Sequence, residues 1–303
     1  MSGGAVADAL ASCLRQQLAI DLATLQPVGG GCSHRAWWLQ GRGGEQIFAK
    51  TNRPEQLPLL EAEAEGLAAL AAAAEPPGLQ IPTSLHCGIS GGQAVLLLPW
   101  LELRTGPSQE AQGWASLGAQ LAQLHRRSLS AAQHGYGWPQ DNFIGAGPQA
   151  NGWHAEWGSF FAERRLGSQL AWAERQGRTL PDAQELLAQV PLWLRSHRCD
   201  PVLVHGDLWA GNASLLQGGG ATLFDPAVYR GDREVDLAMA QLFGGFPAAF
   251  FKGYSEQWPL EPGHEQRLEL YNLYHLLNHA NLFGGGYWEQ AQRSIQALLR
   301  RFN

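Results

Sequence analysis

The chain has 303 residues and a formal net charge of −6, and 45% of its residues are hydrophobic while 16% are charged. This balance is typical of a globular protein that can bury a sizeable core, and it excludes a disordered chain. The sequence has neither a basic run that could follow a nucleic acid backbone nor an apolar run near the ~20 residues that span a bilayer, so we expect no nucleic acid and no membrane partner.

The first hundred residues predict a small unit made mostly of strands. Apolar side chains at helical spacing open the chain, and short apolar runs separated by glycine turns follow. An Ala-, Glu- and Leu-rich stretch has strong helix propensity, and Pro76 and Pro77 end it. In chain order we expect a helix over 6–18, strands over 36–39 and 46–50, a helix over 59–74, and a hairpin over 85–98.

After Pro99 the pattern becomes helical. We expect the fold class α+β, with a β-rich N-terminal lobe over 1–101, a larger and mainly helical C-terminal lobe over 102–303, and a hinge near 99–103. The expected helices lie near 114–124, 157–173, 183–195, 235–243 and 265–283, and the expected strands at 202–204 and 221–224.

Eight residues that follow the predicted strand 202–204 carry the strongest functional signal. They run from His205 to Asn212 and read His-Gly-Asp-Leu-Trp-Ala-Gly-Asn. Asp207 and Asn212 have the spacing of the kinase catalytic loop, in which the Asp faces the attacking hydroxyl and the Asn binds Mg²⁺. A surface turn with an Asn cap produces part of this pattern, but the full string after an apolar strand is much rarer. It predicts a protein-kinase-like fold with Asp207 as the catalytic residue.

A second carboxylate follows the predicted strand 221–224. Asp225 lies thirteen positions beyond Asn212 and precedes Pro226. Asp-Pro alone is an ordinary turn sequence. In register with Asp207 and Asn212, however, it predicts a carboxylate ligand for Mg²⁺. We therefore expect ATP and Mg²⁺ as cofactors, with Asn212 and Asp225 as the metal ligands.

Lysine is rare in this chain, since only Lys50 and Lys252 are lysine among 21 basic residues. Lys50 ends an apolar strand, where a compact cation can be aimed at phosphate. A glutamate of the next helix would hold it, and Glu63 is the expected partner. For its neighbours Glu61 and Glu65 a solvated acidic face is the favoured interpretation.

The glycine-rich segment 29–34 does not match the pattern G-x-G-x-x-G. Between two strands and before Lys50 it predicts a phosphate-binding loop formed by Gly30, Gly31 and Ser33. Cys32 in this loop is either a redox-active thiol or a packed small side chain, and the sequence leaves both open. The four cysteines form no C-x-x-C pair, which favours a reducing compartment and a cytoplasmic protein.

Taken together, these strings resemble the fructosamine kinase (ketosamine-3-kinase) family, which is related to aminoglycoside and choline kinases. The family implies ATP-dependent phosphorylation of the 3-hydroxyl of ketosamines, which are sugar adducts of free amines or of protein lysines. The product eliminates and frees the amine, so the implied role is deglycation repair. The strings that carry the resemblance are 29–32, 138 with 141–145, 205–212, 224–227, 233–239, 242–246 and 274–279.

The resemblance also implies roles for individual residues. Asp207 is the proton acceptor, Asn212 and Asp225 hold Mg²⁺, Lys50 pairs with Glu63, and the hinge residues Pro99, Trp100 and Leu101 border adenine. Position 232 is Asp where the family often has His, which affects the substrate side. The residues expected on the substrate side are Trp209, Asp232 and Trp288.

Other interpretations of the sequence stay open. A kinase for another small hydroxyl compound, such as an aminoglycoside or choline, would use the same catalytic residues. A redox-regulated nucleotide-binding module is the second alternative, and the chain would then be a monomer or a disulfide-linked dimer through Cys32. His275 and His279 have metal-ligand spacing on one helix, but hydrogen-bonded buried histidines are favoured over a metal site.

Overall fold

The computed structural model describes residues 3–29, 34–104, 111–131 and 134–302. The chain forms two compact units, of which the first comprises Met1–Ser108 with Ser214–Asp225 and the second comprises Gln109–Ala213 with Pro226–Asn303. The sequence predicts a division after residue 101 with one lobe on each side. That domain boundary stays a prediction.

The first unit is built on an antiparallel sheet with the strand order β1-β2-β3-β6-β5. Its central strands β3 and β6 are buried along most of their length, and most of their buried side chains are apolar. The helix α1 supplies apolar side chains to one core of this unit. The elements are α1 (Gly3–Leu18), β1 (Leu22–Val28), β2 (Arg35–Gly41), β3 (Gln46–Asn52), α2 (Leu57–Ala73), β4 (Leu79–Gln80), β5 (His86–Ser90) and β6 (Gln93–Pro99).

A late segment of the chain completes the first unit. The strands β10 (Ala213–Leu215) and β11 (Ala221–Leu223) form a second sheet with β4, and β11 runs parallel to β4. The backbone N–H of Arg104 donates to the carbonyl of Leu215 at 2.9 Å. These backbone bonds place Asp225, which follows β11, in the same unit as the sheet that carries Lys50.

The second unit is mainly helical. Its core gathers buried aromatic and aliphatic side chains from several helices around the short antiparallel pair of strands β9 and β12. The elements are α3 (Ala111–Ser128), β7 (Asn142–Ile144), β8 (Gly147–Gln149), α4 (Trp157–Phe160) with a π-helical turn (Phe161–Gly167), α5 (Ser168–Arg175), α6 (Ala183–Trp193), β9 (Val202–Val204), β12 (Tyr229–Gly231), α7 (Glu234–Leu242), α8 (Ala248–Gln257), α9 (His264–Phe283) and α10 (Gly286–Phe302).

The helices α3 and α8 pack with almost no gap between their backbones. A Cβ atom on Gly118 of α3 would lie 2.0 Å from the carbonyl oxygen of Phe250, and one on Gly253 of α8 would lie 2.0 Å from that of Ala115. Each helix therefore presents a glycine where the other helix approaches. Larger side chains at these two positions would force the helices apart.

The α+β class with a sheet-rich first part and a helical second part is confirmed. Most predicted elements are present with ends shifted by a few residues, while α8 and α10 are additional helices. The last predicted helix ends at 283, and three glycines separate it from α10 or open that helix. Within the described part of the chain, no helix combines the length and apolar character needed to cross a membrane.

Candidate active site

The strand β9 ends directly before the predicted catalytic loop, and a buried carboxylate holds the loop at that point. Asp236 of α7 accepts the backbone N–H of His205 at 2.7 Å and that of Gly206 at 2.8 Å. Asp236 is fully buried, so these charge-assisted bonds are shielded from water. The first turn of α7 therefore fixes the start of the catalytic loop.

The same carboxylate is supported from behind by a chain of side chains. His125 of α3 lies 3.2 Å from Asp236 through Nε2 and 2.9 Å from the hydroxyl of Tyr254 through Nδ1. Burial alone would raise the pKa of Asp236, but the hydrogen bonds and nearby histidines outweigh it and lower that pKa. Asp236 is therefore ionised at neutral pH and accepts from every donor around it.

Gly206 makes the sharp turn that follows β9. Its φ of +80° lies in the left-handed region, and a Cβ atom there would be 2.0 Å from the carbonyl oxygen of Ala227. Both conditions require glycine. The neighbouring N–H of Ala227 donates to the carbonyl of His205 at 2.8 Å, which ties the loop to the chain segment beside it.

The two polar residues of the predicted catalytic loop are in contact. Asn212 donates through Nδ2 to the backbone carbonyl of Asp207 at 2.9 Å and to its carboxylate at 3.3 Å. Asn212 is buried, whereas the side chain of Asp207 is only partly covered. Because the amide nitrogen is committed to Asp207, the amide oxygen is the end of Asn212 that suits a metal ion.

In the first unit, Lys50 and Glu63 form the predicted pair. Lys50 Nζ donates to Glu63 Oε1 at 2.7 Å, and both side chains are less than 10% exposed. Lys50 lies on β3 between β2 and β6, so its backbone is held on both sides. Glu63 reaches it from α2, whose other buried side chains are apolar or glycine.

Lys50 also contacts the carboxylate of Asp225. Burial alone would lower the pKa of Lys50, but the charges of Glu63 and Asp225 outweigh it and raise that pKa. The backbone of Asp225 has a φ of +55°, a conformation that costs energy for a residue other than glycine. Lys50 is thus a cation held between two carboxylates. That of Glu63 is buried, and the side chain of Asp225 is 41% exposed.

The other predicted nucleotide-binding residues are only partly described. Gly30, Gly31, Ser33 and the redox candidate Cys32 lie outside the described residues. Pro99 ends β6, and Trp100 and Leu101 follow it within the first unit. Trp100 packs edge-on against Trp38 with ring centroids 6.3 Å apart. The role of these residues in nucleotide binding stays a prediction.

Trp209 and Trp288 are accessible in the second unit. Trp209 is 42% exposed, and its ring lies over Gly211, where a Cβ atom would be 2.2 Å from it. Trp288 is half-buried on α10, with the guanidinium of Arg178 6.0 Å from its ring centroid. Both side chains are therefore available on the surface of this unit.

Asp232 does not lie on a surface that a substrate could reach. It is 1% exposed, and its Oδ2 accepts from His197 Nε2 at 2.6 Å and from Tyr271 at 2.7 Å. Its ligand atom and those of His197 and Cys199 lie within 4.8 Å of one another. The short direct contact with His197 marks a hydrogen-bonded cluster of the core. The expectation that Asp232 lies on the substrate side is therefore corrected to a structural position.

His275 and His279 lie one turn apart on α9, and one of them bonds to the backbone of the other. His279 donates through Nδ1 to the backbone carbonyl of His275 at 2.8 Å. His275 is 2% exposed, its Nδ1 has no hydrogen-bond partner, and burial lowers its pKa to about 3. Both side chains are buried or half-buried in the helix packing, as predicted, and His279 has the predicted hydrogen bond, whereas His275 Nδ1 has none.

Sequence reasoning did not assign a role to Asp236 or to His125. Asp236 lies in an otherwise apolar stretch, Val235–Met239, where one carboxylate signals a specific buried partner. His125, in the last turn of α3, lies 111 positions from Asp236 and carries no local signal.

Comparisons with known proteins agree along nearly the whole chain. The family model described as fructosamine kinase matches residues 5–301. A Synechocystis protein named probable ketoamine kinase slr1563 is 46% identical over 90% of this chain and 89% of its own length. The chloroplastic protein-ribulosamine 3-kinase of Arabidopsis thaliana is 34% identical over 95% of this chain and 86% of its own length.

A solved structure gives the same result at the level of the fold. A protein of Haemophilus somnus 129PT, provisionally called a fructosamine-3-kinase, superimposes with a TM-score of 0.85. It is 28% identical, and the match covers 96% of this chain and 97% of that chain. The family resemblance predicted from the sequence is thereby confirmed.

Proposed function

Because this chain belongs to the fructosamine kinase family, we propose that it transfers the γ-phosphoryl group of ATP to the 3-hydroxyl of a ketosamine. The phosphorylated adduct then eliminates phosphate and frees the amine, which makes the reaction a deglycation step. The observation that carries this proposal is the contact of Asn212 with Asp207 in a loop held by Asp236. Phosphoryl transfer depends on such positioning more than on covalent chemistry by the protein.

Asp207 is the proposed proton acceptor. Its carboxylate is held by Asn212 and lies on a loop whose first two amides are fixed, so it can be aimed at one hydroxyl group. General-base help of this kind contributes roughly 10²–10⁴-fold to a rate. The substrate hydroxyl would lose its proton to this carboxylate as its oxygen bonds to phosphorus.

Lys50 is the proposed contact for the nucleotide phosphates. Its pKa is raised by two carboxylates, so the ammonium stays charged at neutral pH. The ammonium binds the buried carboxylate of Glu63 and also contacts the partly exposed carboxylate of Asp225. A cation fixed in this way can neutralise charge on phosphate without first being ordered.

Asn212 and Asp225 are the proposed Mg²⁺ ligands. An amide oxygen and a partly exposed carboxylate oxygen are the hard donors that Mg²⁺ prefers, so the residues fit the ion. When bound, Mg²⁺ would supply positive charge against the phosphates. The contact of Asp225 with Lys50 supports this role, because it shows that the Asp225 carboxylate already attracts a cation.

A substrate panel tests the proposal. ATP consumption by the purified protein would be measured with ribulosamine, erythrulosamine and fructosamine derivatives, and with an aminoglycoside as the competing class. We expect turnover with at least one ketosamine and a new phosphate ester on the sugar by ³¹P NMR. Turnover with the aminoglycoside alone, or with none of these compounds, would overturn it.

A cytoplasmic location is expected from the sequence, although the Arabidopsis relative is named chloroplastic. Fractionation of the source cells checks this location.

A disulfide through Cys32 would regulate the enzyme, and non-reducing electrophoresis of oxidised wild-type and Cys32→Ser protein tests that role. An oxidised wild-type sample without a linked species would contradict it.

A further inference from the structure

The second unit carries an exposed aromatic surface, formed by Phe243, His279, Phe283 and Tyr287. The ring centroid of His279 lies 4.8 Å from that of Phe243, 5.6 Å from that of Phe283 and 5.2 Å from that of Tyr287. Phe243 is 41% exposed and Phe283 is 58% exposed. Rings that pack on one another yet stay this open offer a preformed face for a ligand.

This aromatic surface adjoins the catalytic loop. The first turn of α7 carries Asp236, which binds the backbone of His205, and the helix ends at Leu242. The turn after Leu242 returns to the catalytic loop. A Cβ atom on Gly245 would lie 2.4 Å from the Cβ of Ala210, so the Ala210 side chain packs against the backbone at Gly245. Phe243 precedes Gly245 by two residues, and the exposed Trp209 immediately precedes Ala210. The chain segment that carries Phe243 therefore contacts the loop that carries Asp207.

The central ring of the surface is uncharged. Burial lowers the pKa of His279, and its Nδ1–H is used by the carbonyl of His275. Aromatic faces attract both apolar groups and cations, and no charge of the surface itself opposes a cation. The charged groups that follow Tyr287 on α10 are Glu289 and Arg293, which pair with each other, and Arg178 lies at the neighbouring Trp288.

We propose that the aromatic surface binds the amine substituent of the ketosamine and favours amines with aromatic or long apolar groups. This inference rests on the proposed function. In a ketosamine the amine nitrogen is attached at C1, and O3 is attached two carbons further along. When O3 faces Asp207, the nitrogen and its substituent must leave the catalytic loop along an adjoining surface. The nitrogen is a secondary ammonium, which aromatic rings also attract.

Two substrates that differ only in the amine substituent test this inference. Both are fructose adducts, one of ethylamine and one of phenethylamine, so the sugar and the charge are the same. We expect the wild-type kcat/KM to be about tenfold higher for the phenethylamine adduct. In the Phe243→Ala/Phe283→Ala variant the ratio of the two values should fall to near one.

The controls separate binding from folding. Trp153→Ala and Leu192→Ala remove other exposed large side chains of the same unit, 37% and 49% exposed, and should keep the wild-type ratio. Thermal unfolding of the double variant checks the fold, and the single variant Phe283→Ala gives a smaller fall in the ratio if the double variant is unstable.

Three results would overturn the inference. A wild-type ratio near one, or an unchanged ratio in the variants, shows that the surface does not select the amine. Sedimentation that finds a wild-type dimer, a monomeric double variant and no substrate preference shows that a second copy of the chain covers it. Failure of the wild type on both ketosamines is distinct, because the proposed function then fails and the inference falls with it.

Discussion

Asp236 accepts the backbone N–H of His205 at 2.7 Å, which joins a helix of the second unit to the residue that opens the catalytic loop. An Asn at position 236 has one oxygen in place of two, so it leaves one of the two loop amides without its acceptor. We expect Asp236→Asn to lower the free energy of unfolding by about 1–3 kcal/mol and turnover by at least tenfold. Urea unfolding and steady-state kinetics measure both, and the exposed Asp200→Asn serves as the control. A variant with wild-type turnover would show that Asp236 does not position the loop.

Asp207→Asn separates catalysis from nucleotide binding. The amide cannot accept the substrate proton, but it keeps the shape of the side chain and its contact with Asn212. We expect turnover to fall by roughly 10²–10⁴-fold while the dissociation constant of ATP changes little. Single-turnover kinetics and calorimetric titration with a non-hydrolysable nucleotide check the two effects. Near-normal turnover would remove Asp207 from the mechanism.

Lys50 and Glu63 can be tested as a pair. Burial raises the pKa of Glu63 to about 7. Lys50→Met removes its closest cation, so the buried carboxyl takes up a proton, and we expect a loss of about 1–3 kcal/mol in the free energy of unfolding. In Lys50→Met/Glu63→Gln part of this loss should be recovered at pH 8, because the amide carries no charge at any pH whereas a buried Glu63 must stay protonated. ATP turnover should stay low in both variants. Recovery of turnover together with stability would mean that Lys50 serves the fold only.

His275 predicts a pH dependence of stability. Burial lowers its pKa from 6.5 to about 3, so between these values the unfolded chain binds a proton that the folded chain does not. The unfolded state is therefore favoured as the pH falls. We expect this residue to remove about 1.4 kcal/mol of stability between pH 7.5 and 5.5. Urea midpoints should fall less steeply in His275→Gln, while the exposed His134→Gln should keep the wild-type slope.

The close contact of α3 with α8 predicts a large effect from one methyl group. Gly118→Ala places a Cβ atom against the backbone of α8, where no flexible side chain can move aside. We expect a loss of about 1–3 kcal/mol, measured by thermal unfolding. Gly286→Ala is the matched control, since nothing lies within 4 Å of a Cβ at that helical position. It should be neutral or slightly stabilising.

Local patterns predicted the elements that local forces determine. The apolar run before Lys50 and the Ala-rich stretch around Glu63 became β3 and α2, and their contact was expected because a strand lysine needs a carboxylate. The loop from His205 to Asn212 was recognisable because its residue types have fixed spacing. The amphipathic spacing of α10 was present, with Ala291, Ile295 and Leu298 buried, but the preceding glycines concealed it.

Other features depend on contacts between distant parts of the chain. His125 reaches Asp236 only after α3 and α7 have packed, and no spacing in the sequence encodes that meeting. The burial of Asp232 was missed for the same reason, since its partners His197 and Tyr271 come from two other segments. The helix α8 is short and contains Gly253, so its propensity is weak until it packs on α3.

The membership of 214–225 in the first unit has a consequence for synthesis on the ribosome. The strand β11 and Asp225 are made more than a hundred residues after β4 and Lys50. Until then, β4 of the nascent first unit has no β11 to pair with, and Lys50 lacks its contact with Asp225. Domains usually fold as contiguous units in order of emergence. Here the amino-terminal part can close only after residue 225 has left the exit tunnel, so the folding order does not follow the order of translation.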